Sequence, residues 1–188
     1  MRELSLNVLD IAQNSISANA SLIEIELTQS TENNELIIGI YDNGKGMTKE
    51  QLEAVRDPFF TTRTTRKVGM GIPLFKMAAE MTGGHLDIES EVGIGTRVRA
   101  FFRTNHLDFI PIGDMASTMV MLITMNEHID FLYKRSLDSR SFSLDTKSLR
   151  EILGGVPFSE PSVSLWLKEY IQENTKELTK GEISNENT

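Results

Sequence analysis

Cysteine is absent from all 188 residues. No disulfide, thiolate metal site or iron–sulfur ligation can therefore come from this chain. Long apolar runs are absent too: no stretch approaches the ~18–20 apolar residues of a membrane span. Met1-Arg2-Glu3 leads into a helical pattern without a signal-peptide core. Positive charge is scarce, with 19 Lys and Arg against 27 Asp and Glu, a net charge of −8. That balance argues against nonspecific nucleic-acid binding, which needs basic surface. A cytoplasmic protein with neither membrane nor nucleic acid as partner is the expectation. The length allows one domain of ordinary size and a small appendage. There are no internal repeats, and no residue pattern sets an oligomeric state.

What is present begins with Leu36-Ile37-Ile38-Gly39-Ile40, an apolar run followed at once by Asp42-Asn43-Gly44-Lys45-Gly46-Met47. This reads as a strand ending at a carboxylate, then a turn through two glycines. Such a carboxylate can accept a hydrogen bond from an exocyclic amine, and the glycines let backbone lie flat against a ring. The same letters also serve ordinary turn chemistry. Upstream, Ser5 to Ala18 carries apolar residues at helical spacing. Asp10 and Asn14 are i and i+4 there, one turn apart on one face. Two oxygen-bearing side chains so placed suit a hard cation such as magnesium. They equally suit a solvated helix face, and Asp10 alone suits a base for a water or hydroxyl.

Downstream, Lys67-Val68-Gly69-Met70-Gly71-Ile72-Pro73-Leu74 opens a second helical pattern. Gly69 and Gly71 stand where that helix begins, and free N–H groups at a helix start attract phosphate. Pro73 fits the first turn. Between the two lies an aromatic, then basic and hydroxyl-rich segment. Arg56, Arg63, Arg66 and Lys67 against Asp57 give residues 56–71 a local net charge of +3. A triphosphate needs such a loop, and its length suits a lid.

These pieces, in this order, resemble the Bergerat-fold ATPases of the GHKL superfamily: gyrase, Hsp90, histidine kinases and MutL. Asp10-Ile-Ala-Gln-Asn14 resembles the N box, Asp42 to Gly46 the G1 box, Pro58-Phe59-Phe60 the F box, and Gly69-Met-Gly71 the G2 box. Gly84 to Thr96, with Gly93-Ile-Gly95-Thr96, is similar to the histidine-kinase ending of that domain. The resemblance covers residues 3–103 and implies ATP and magnesium as ligands. It implies that Asn14 ligates magnesium and that Asp42 takes the adenine amine. Gly44 and Gly46 would shape the adenine pocket, Gly69 and Gly71 would approach the phosphates, and Thr96 would support the base. Met47, Phe60, Met70 and Ile72 join the nucleotide-binding set as neighbours within those boxes. Arg63, Arg66 and Lys67 would steady the γ-phosphate. Asp10 stands at the position of the general-base glutamate, one methylene shorter, and Lys67 replaces the first glycine of the kinase G2 pattern. The short lid favours the histidine-kinase branch or the anti-sigma serine kinases. Histidine kinases carry a phosphoacceptor hairpin before this domain, whereas nine residues precede Asp10 here. None of His85, His106 and His128 sits on such a hairpin. Phosphotransfer to a separate protein partner is therefore expected first. The alternatives are a slow ATPase acting as a conformational switch and a non-hydrolysing nucleotide sensor.

The expected fold class is α+β, a two-layer α/β sandwich. Ser21 to Thr28 alternates as a half-buried strand, with Ile23, Ile25 and Leu27 inward. Thr48-Lys-Glu-Gln51 has the form of a capping box for a short helix to Val55. Strands near 85–90 and 96–103 complete a mixed sheet, and helices 4–18 and 70–82 cover one face. The expected organisation is an ATPase domain over 1–104, a small α+β extension over 105–175 suited to partner docking, and a polar disordered tail over 176–188. Within the extension the spacing predicts a helix over 112–125 and short strands over 129–134 and 141–145, joined by Arg135 to Arg140. A short helix over 148–153 follows, then one from 159–161 through Tyr170. The whole chain resembles the small stand-alone ATP-binding proteins of anaerobic bacteria encoded near iron-only hydrogenase and related redox enzymes.

Overall fold

A computed structural model describes residues 3–56 and 70–180. The chain opens with helix α1 (Leu4–Ser17), whose apolar stripe of Leu4, Val8, Ile11 and Ala12 is fully covered. Strands β1 (Leu22–Ser30) and β2 (Glu35–Asp42) form an antiparallel hairpin turned by Asn34 at φ 50°. Asparagine tolerates that left-handed conformation. Helix α2 (Lys49–Arg56) starts on a reciprocal capping box. The Thr48 N–H donates to Gln51 Oε1 at 2.9 Å, and the Gln51 N–H donates to Thr48 Oγ1 at 3.2 Å. Helix α3 (Gly71–Met81) then leads into the hairpin β3 (His85–Glu91) and β4 (Gly95–Arg103).

The sheet does not stop at β4. Helix α4 (Met115–Met125) crosses over to β5 (Asp130–Leu137) and β6 (Arg140–Asp145), giving one six-stranded sheet of order β3-β4-β2-β1-β5-β6. The pairing of β1 with β5 is parallel and the other four pairings are antiparallel. The mixed character expected from sequence thus comes from the extension, not from the first four strands. Helices α5 (Thr146–Leu153) and α6 (Pro161–Thr179) complete the chain.

Strand alternation sets the layers. Ile23, Ile25, Leu27, Ile38, Ile40, Val98, Ala100, Phe102, Phe131 and Tyr133 point to one face and are buried beneath helices. Each large apolar side chain so buried contributes about 1.5–3 kcal/mol. The other face carries Glu24, Glu26, Asp87, Arg97, Arg99 and Lys134, with ion pairs Lys134–Glu24 at 3.5 Å and Arg99–Asp87 at 3.7 Å. Partly exposed pairs of this kind are worth about 0–1 kcal/mol each. Both sheet edges are blunted by side chains. Arg56 Nη2 donates to the Ile88 carbonyl at 2.7 Å, and the Tyr170 hydroxyl donates to the Ser143 carbonyl at 3.0 Å. A carbonyl engaged in this way is withdrawn from pairing with another strand.

The structure departs from the sequence reading in three places. The link expected over Arg135 to Arg140 is mostly strand: β5 pairs with β1 as far as Leu137 opposite Gln29, leaving a tight turn at Asp138 (φ 52°). A neighbouring strand supplies hydrogen bonds that polar turn-like letters do not advertise. Helix α4 begins at Met115, not Ile112, because Asp114 caps it by accepting from the Ser117 N–H at 2.9 Å. Helix α6 continues to Thr179 through part of the expected tail, since Leu178 is buried. Residues 181–188 of that tail lie outside the described residues. Among the described residues no helix is long and apolar enough to cross a membrane.

Candidate functional site

The inward phase of β2 runs Ile38, Ile40, Asp42, so the same alternation that builds the core delivers a carboxylate to its edge. Asp42 is held from two sides. Ser15 Oγ, on the buried face of α1, donates to Asp42 Oδ2 at 2.5 Å, and the Gly44 N–H donates to Oδ1 at 2.9 Å. Ser15 is 3% exposed, so its hydroxyl has little water to compete with this bond. Each carboxylate oxygen keeps further lone-pair capacity. Asp42 is therefore fixed in orientation but not used up as an acceptor.

The loop after Asp42 is tied down at every step. Asn43 Oδ1 accepts from the Ser21 and Leu22 N–H groups, both at 2.9 Å, and Asn43 Nδ2 donates to Ser21 Oγ at 2.8 Å. The Lys45 N–H donates to the Ala18 carbonyl at 2.9 Å. Gly46 adopts φ +68°, and a Cβ there would stand 1.9 Å from the Glu91 carbonyl oxygen. Only glycine meets both conditions at once. The Met47 N–H then donates to Ser90 Oγ at 2.9 Å.

A cavity of about 270 Å³ opens between α1, this loop, α2 and the start of α3. Its walls are mostly apolar (Ile11, Ile40, Met47, Val55, Ile72, Val98), while Asp42, Thr96 and Asn14 supply polar groups. Lys45 and Gln51 contribute longer polar side chains. A few convergent polar groups in an apolar cleft are the usual make-up of a small-molecule site. A wider and more open cleft of about 430 Å³ lies against the opposite face of β2 and β4, lined by Glu24, Tyr41, Glu89, Glu91 and Arg97. Leu22 and Ile94 also line it, but its walls carry the charged side chains of Glu24, Glu89, Glu91 and Arg97, and it is less suited to a base than the first cavity. Tyr41, in that cleft, has its phenol pushed up by burial first and by the nearby Glu26 charge second.

Asp10 is exposed one turn before Asn14. The first residue of α3 comes close to it: a Cβ on Gly71 would lie 3.1 Å from the Asp10 Cβ. Gly71 thus lets the α3 N-terminus approach α1 beside Asp10. Met70 is the N-cap of that helix, and among the described residues no side chain caps its first N–H groups.

The structure brings together Asn14, Asp42, Gly46, Met47, Ile72 and Thr96 around the cavity, with Gly44 behind Asp42. Asp10, Met70 and Gly71 sit beside it at the α1–α3 contact. Phe60, Arg63, Arg66, Lys67 and Gly69, and the expected lid, lie outside the described residues. Sequence reasoning missed Ser15, Asn43 and Ser90. Ser15 had a signal, a hydroxyl in phase with the buried stripe of α1. Ser90 had none: Gly95 and Thr96 reach it only across the β3–β4 hairpin, and Met47 is 43 residues away. Among the described residues no three His, Cys, Asp or Glu side chains cluster as a metal site.

Residues 1–106 match the family described as histidine kinase-, DNA gyrase B- and HSP90-like ATPase. A putative sensor protein of Shewanella frigidimarina is 31% identical over 103 residues, covering 54% of this chain and 15% of that protein. Sensor protein SrrB of Staphylococcus aureus is 41% identical over 78 residues, covering 39% of this chain and 13% of its own length. The matched part thus spans less than a fifth of those relatives. A crystal structure of the N-terminal domain of a DNA repair protein superposes with a TM-score of 0.51 at 18% identity, covering 77% of this chain and 53% of that one. That likeness concerns the fold alone.

Proposed function

Because this chain belongs to the histidine kinase-, DNA gyrase B- and HSP90-like ATPase family, we propose that it binds ATP with magnesium and passes the γ-phosphoryl group to a separate protein partner. The observation that carries the reading is the fixed, unexhausted Asp42 carboxylate in an apolar cavity. Adenine would slot between the apolar walls and give its exocyclic amine to Asp42. Thr96, directly opposite Asp42 in the β2–β4 register, would meet the same edge.

From the base, the triphosphate would run along α1 past Asn14 to the gap where Asp10 faces Gly71. The first N–H groups of α3 suit phosphate oxygens there. Arg63, Arg66 and Lys67 would add positive charge from the segment before α3. The Asn14 amide oxygen is an oxygen donor of the kind magnesium prefers, and a single protein ligand leaves room for phosphate oxygens and waters. Magnesium, when bound, would neutralise charge building on the phosphate oxygens. Asp10 would accept the proton of the attacking group as it bonds to the γ-phosphorus. The bond from that phosphorus to the β–γ bridging oxygen breaks, and ADP leaves.

The test is steady-state phosphate release from ATP and magnesium, wild type beside Asp10→Asn, followed by radiolabelled ATP with candidate partners. Label on a partner, lost in Asp10→Asn while ATP still binds, is the expected result. Rapid phosphate release without a partner, abolished in the variant, would replace the kinase reading by a hydrolysing switch. Tight ATP binding with no transfer, no release and a silent Asp10→Asn change would leave a sensor.

A further inference from the structure

Ser90 lies behind the proposed base site. It shares the inward phase of β3 with buried Ile88 and stands directly opposite Thr96 in the β3–β4 register, outside the walls of the apolar cavity. Its hydroxyl nevertheless joins three parts of the site. It accepts from the Met47 N–H at 2.9 Å, donates to the Gly95 carbonyl at 3.0 Å, and lies 2.9 Å from Thr96 Oγ1.

Proton counting fixes the direction of each bond. A serine hydroxyl has one proton and two lone pairs. The Gly95 carbonyl can only accept, so it takes the Ser90 proton. The Met47 N–H can only donate, so it takes one lone pair. The remaining lone pair is satisfied only by the Thr96 proton. No other arrangement makes all three bonds, and an unmade bond at a partly buried group is costly. The Thr96 oxygen therefore has no proton left for the cavity. Asp42, its cross-strand neighbour, is an acceptor as well. Two acceptors on adjacent strands then face the bound base.

We propose that Ser90 is a positioning residue that sets base specificity. By drawing the Thr96 proton away from the cavity, it makes this edge accept a purine with a 6-amino group and reject one with a 6-oxo group. An exocyclic amine offers one N–H to Asp42 and one to Thr96, whereas a 6-oxo oxygen meets two acceptors and the single proton that such a purine carries on ring N1 can serve only one of them. The proposal rests on the nucleotide reading given above.

The experiment measures the dissociation constants of ATP and ITP with magnesium for the full chain, its Ser90→Ala and Ser90→Thr variants, and Thr96→Val. The readout is the ITP-to-ATP ratio. The wild type should prefer ATP. In Ser90→Ala the Thr96 hydroxyl is free to turn and donate to the 6-oxo oxygen, so the ratio should fall roughly three- to tenfold, the worth of about one hydrogen bond. Ser90→Thr keeps a hydroxyl and should restore the wild-type ratio. Thr96→Val, which does not depend on Ser90→Ala folding, should weaken ATP more than ITP. A role in folding alone would weaken both nucleotides by one factor and leave the ratio unchanged, and that result overturns the proposal. A wild type that binds ITP as tightly as ATP overturns it too. Absence of binding by either nucleotide to the wild type would instead remove the nucleotide reading on which it rests.

Discussion

Replacing Asp42 by asparagine changes the proposed base contact while leaving the fold its bonds. The asparagine carbonyl can still accept from the Gly44 N–H, which now reaches Asp42 Oδ1 at 2.9 Å. The amide nitrogen takes the place of Oδ2 and can donate to Ser15 Oγ, reversing the present 2.5 Å bond. Stability should therefore move by no more than about 1 kcal/mol, or roughly 2–4 °C in melting temperature for a chain of this size. Binding should respond differently. The exocyclic amine would lose an ionised acceptor and meet an amide nitrogen with one proton still free. A hydrogen bond to a charged group is worth about 1.5–3 kcal/mol, so ATP affinity should fall about 10- to 150-fold. Calorimetric titration with ATP and magnesium gives the affinity, and a thermal melt of the same sample gives the stability. A change in affinity below about threefold, with the melt unaltered, would refute the assignment of Asp42 to the base. A collapse of the melt would show that Asp42 acts first as a structural tie, and the arithmetic above would not apply.

Two further predictions concern the extension. Tyr133 is 0% exposed, and among the described residues its hydroxyl has no hydrogen-bond partner of good geometry, the Arg135 side chain being the nearest polar influence on it. Tyr133→Phe should thus be neutral or stabilising by about 1 kcal/mol; a clear loss in chemical denaturation would reveal a partner such as a buried water. The Asp138 carboxylate accepts from the Thr31 hydroxyl at 2.7 Å and its N–H at 2.8 Å, and the hydroxyl bond, with the N–H bond second, holds its pKa below the ordinary range. A group depressed in the folded state contributes stability above its unfolded pKa and loses it as pH falls through the folded value. Asp138→Asn, which tolerates the same positive φ, should flatten the acid-side loss of stability below about pH 4. Denaturation curves at several acid pH values that are parallel for wild type and variant would contradict this.

Much of the first half of the fold was legible because its signals are local. The alternation of β1, the capping box at Thr48 and the two helical stripes each follow from contacts within a few residues. The extension was less so. Its strand β5 looked short because Arg135, Ser136 and Leu137 are held by β1, more than a hundred residues earlier in the chain. The end of α6 looked frayed because Leu178, a single apolar residue, is what docks it.

The sequence alone determined the order of the motifs, the carboxylate at the end of β2, and the Asp10–Asn14 pair on one helix face. Those are matters of period and spacing, which the backbone imposes whatever surrounds it. Tertiary structure decided the rest. It set Ser15 beneath Asp42, turned the Thr96 hydroxyl toward Ser90, brought Gly71 against Asp10, and joined β5 and β6 to the same sheet. These depend on which distant groups are left to satisfy a buried donor or acceptor, and that is settled only when the layers close.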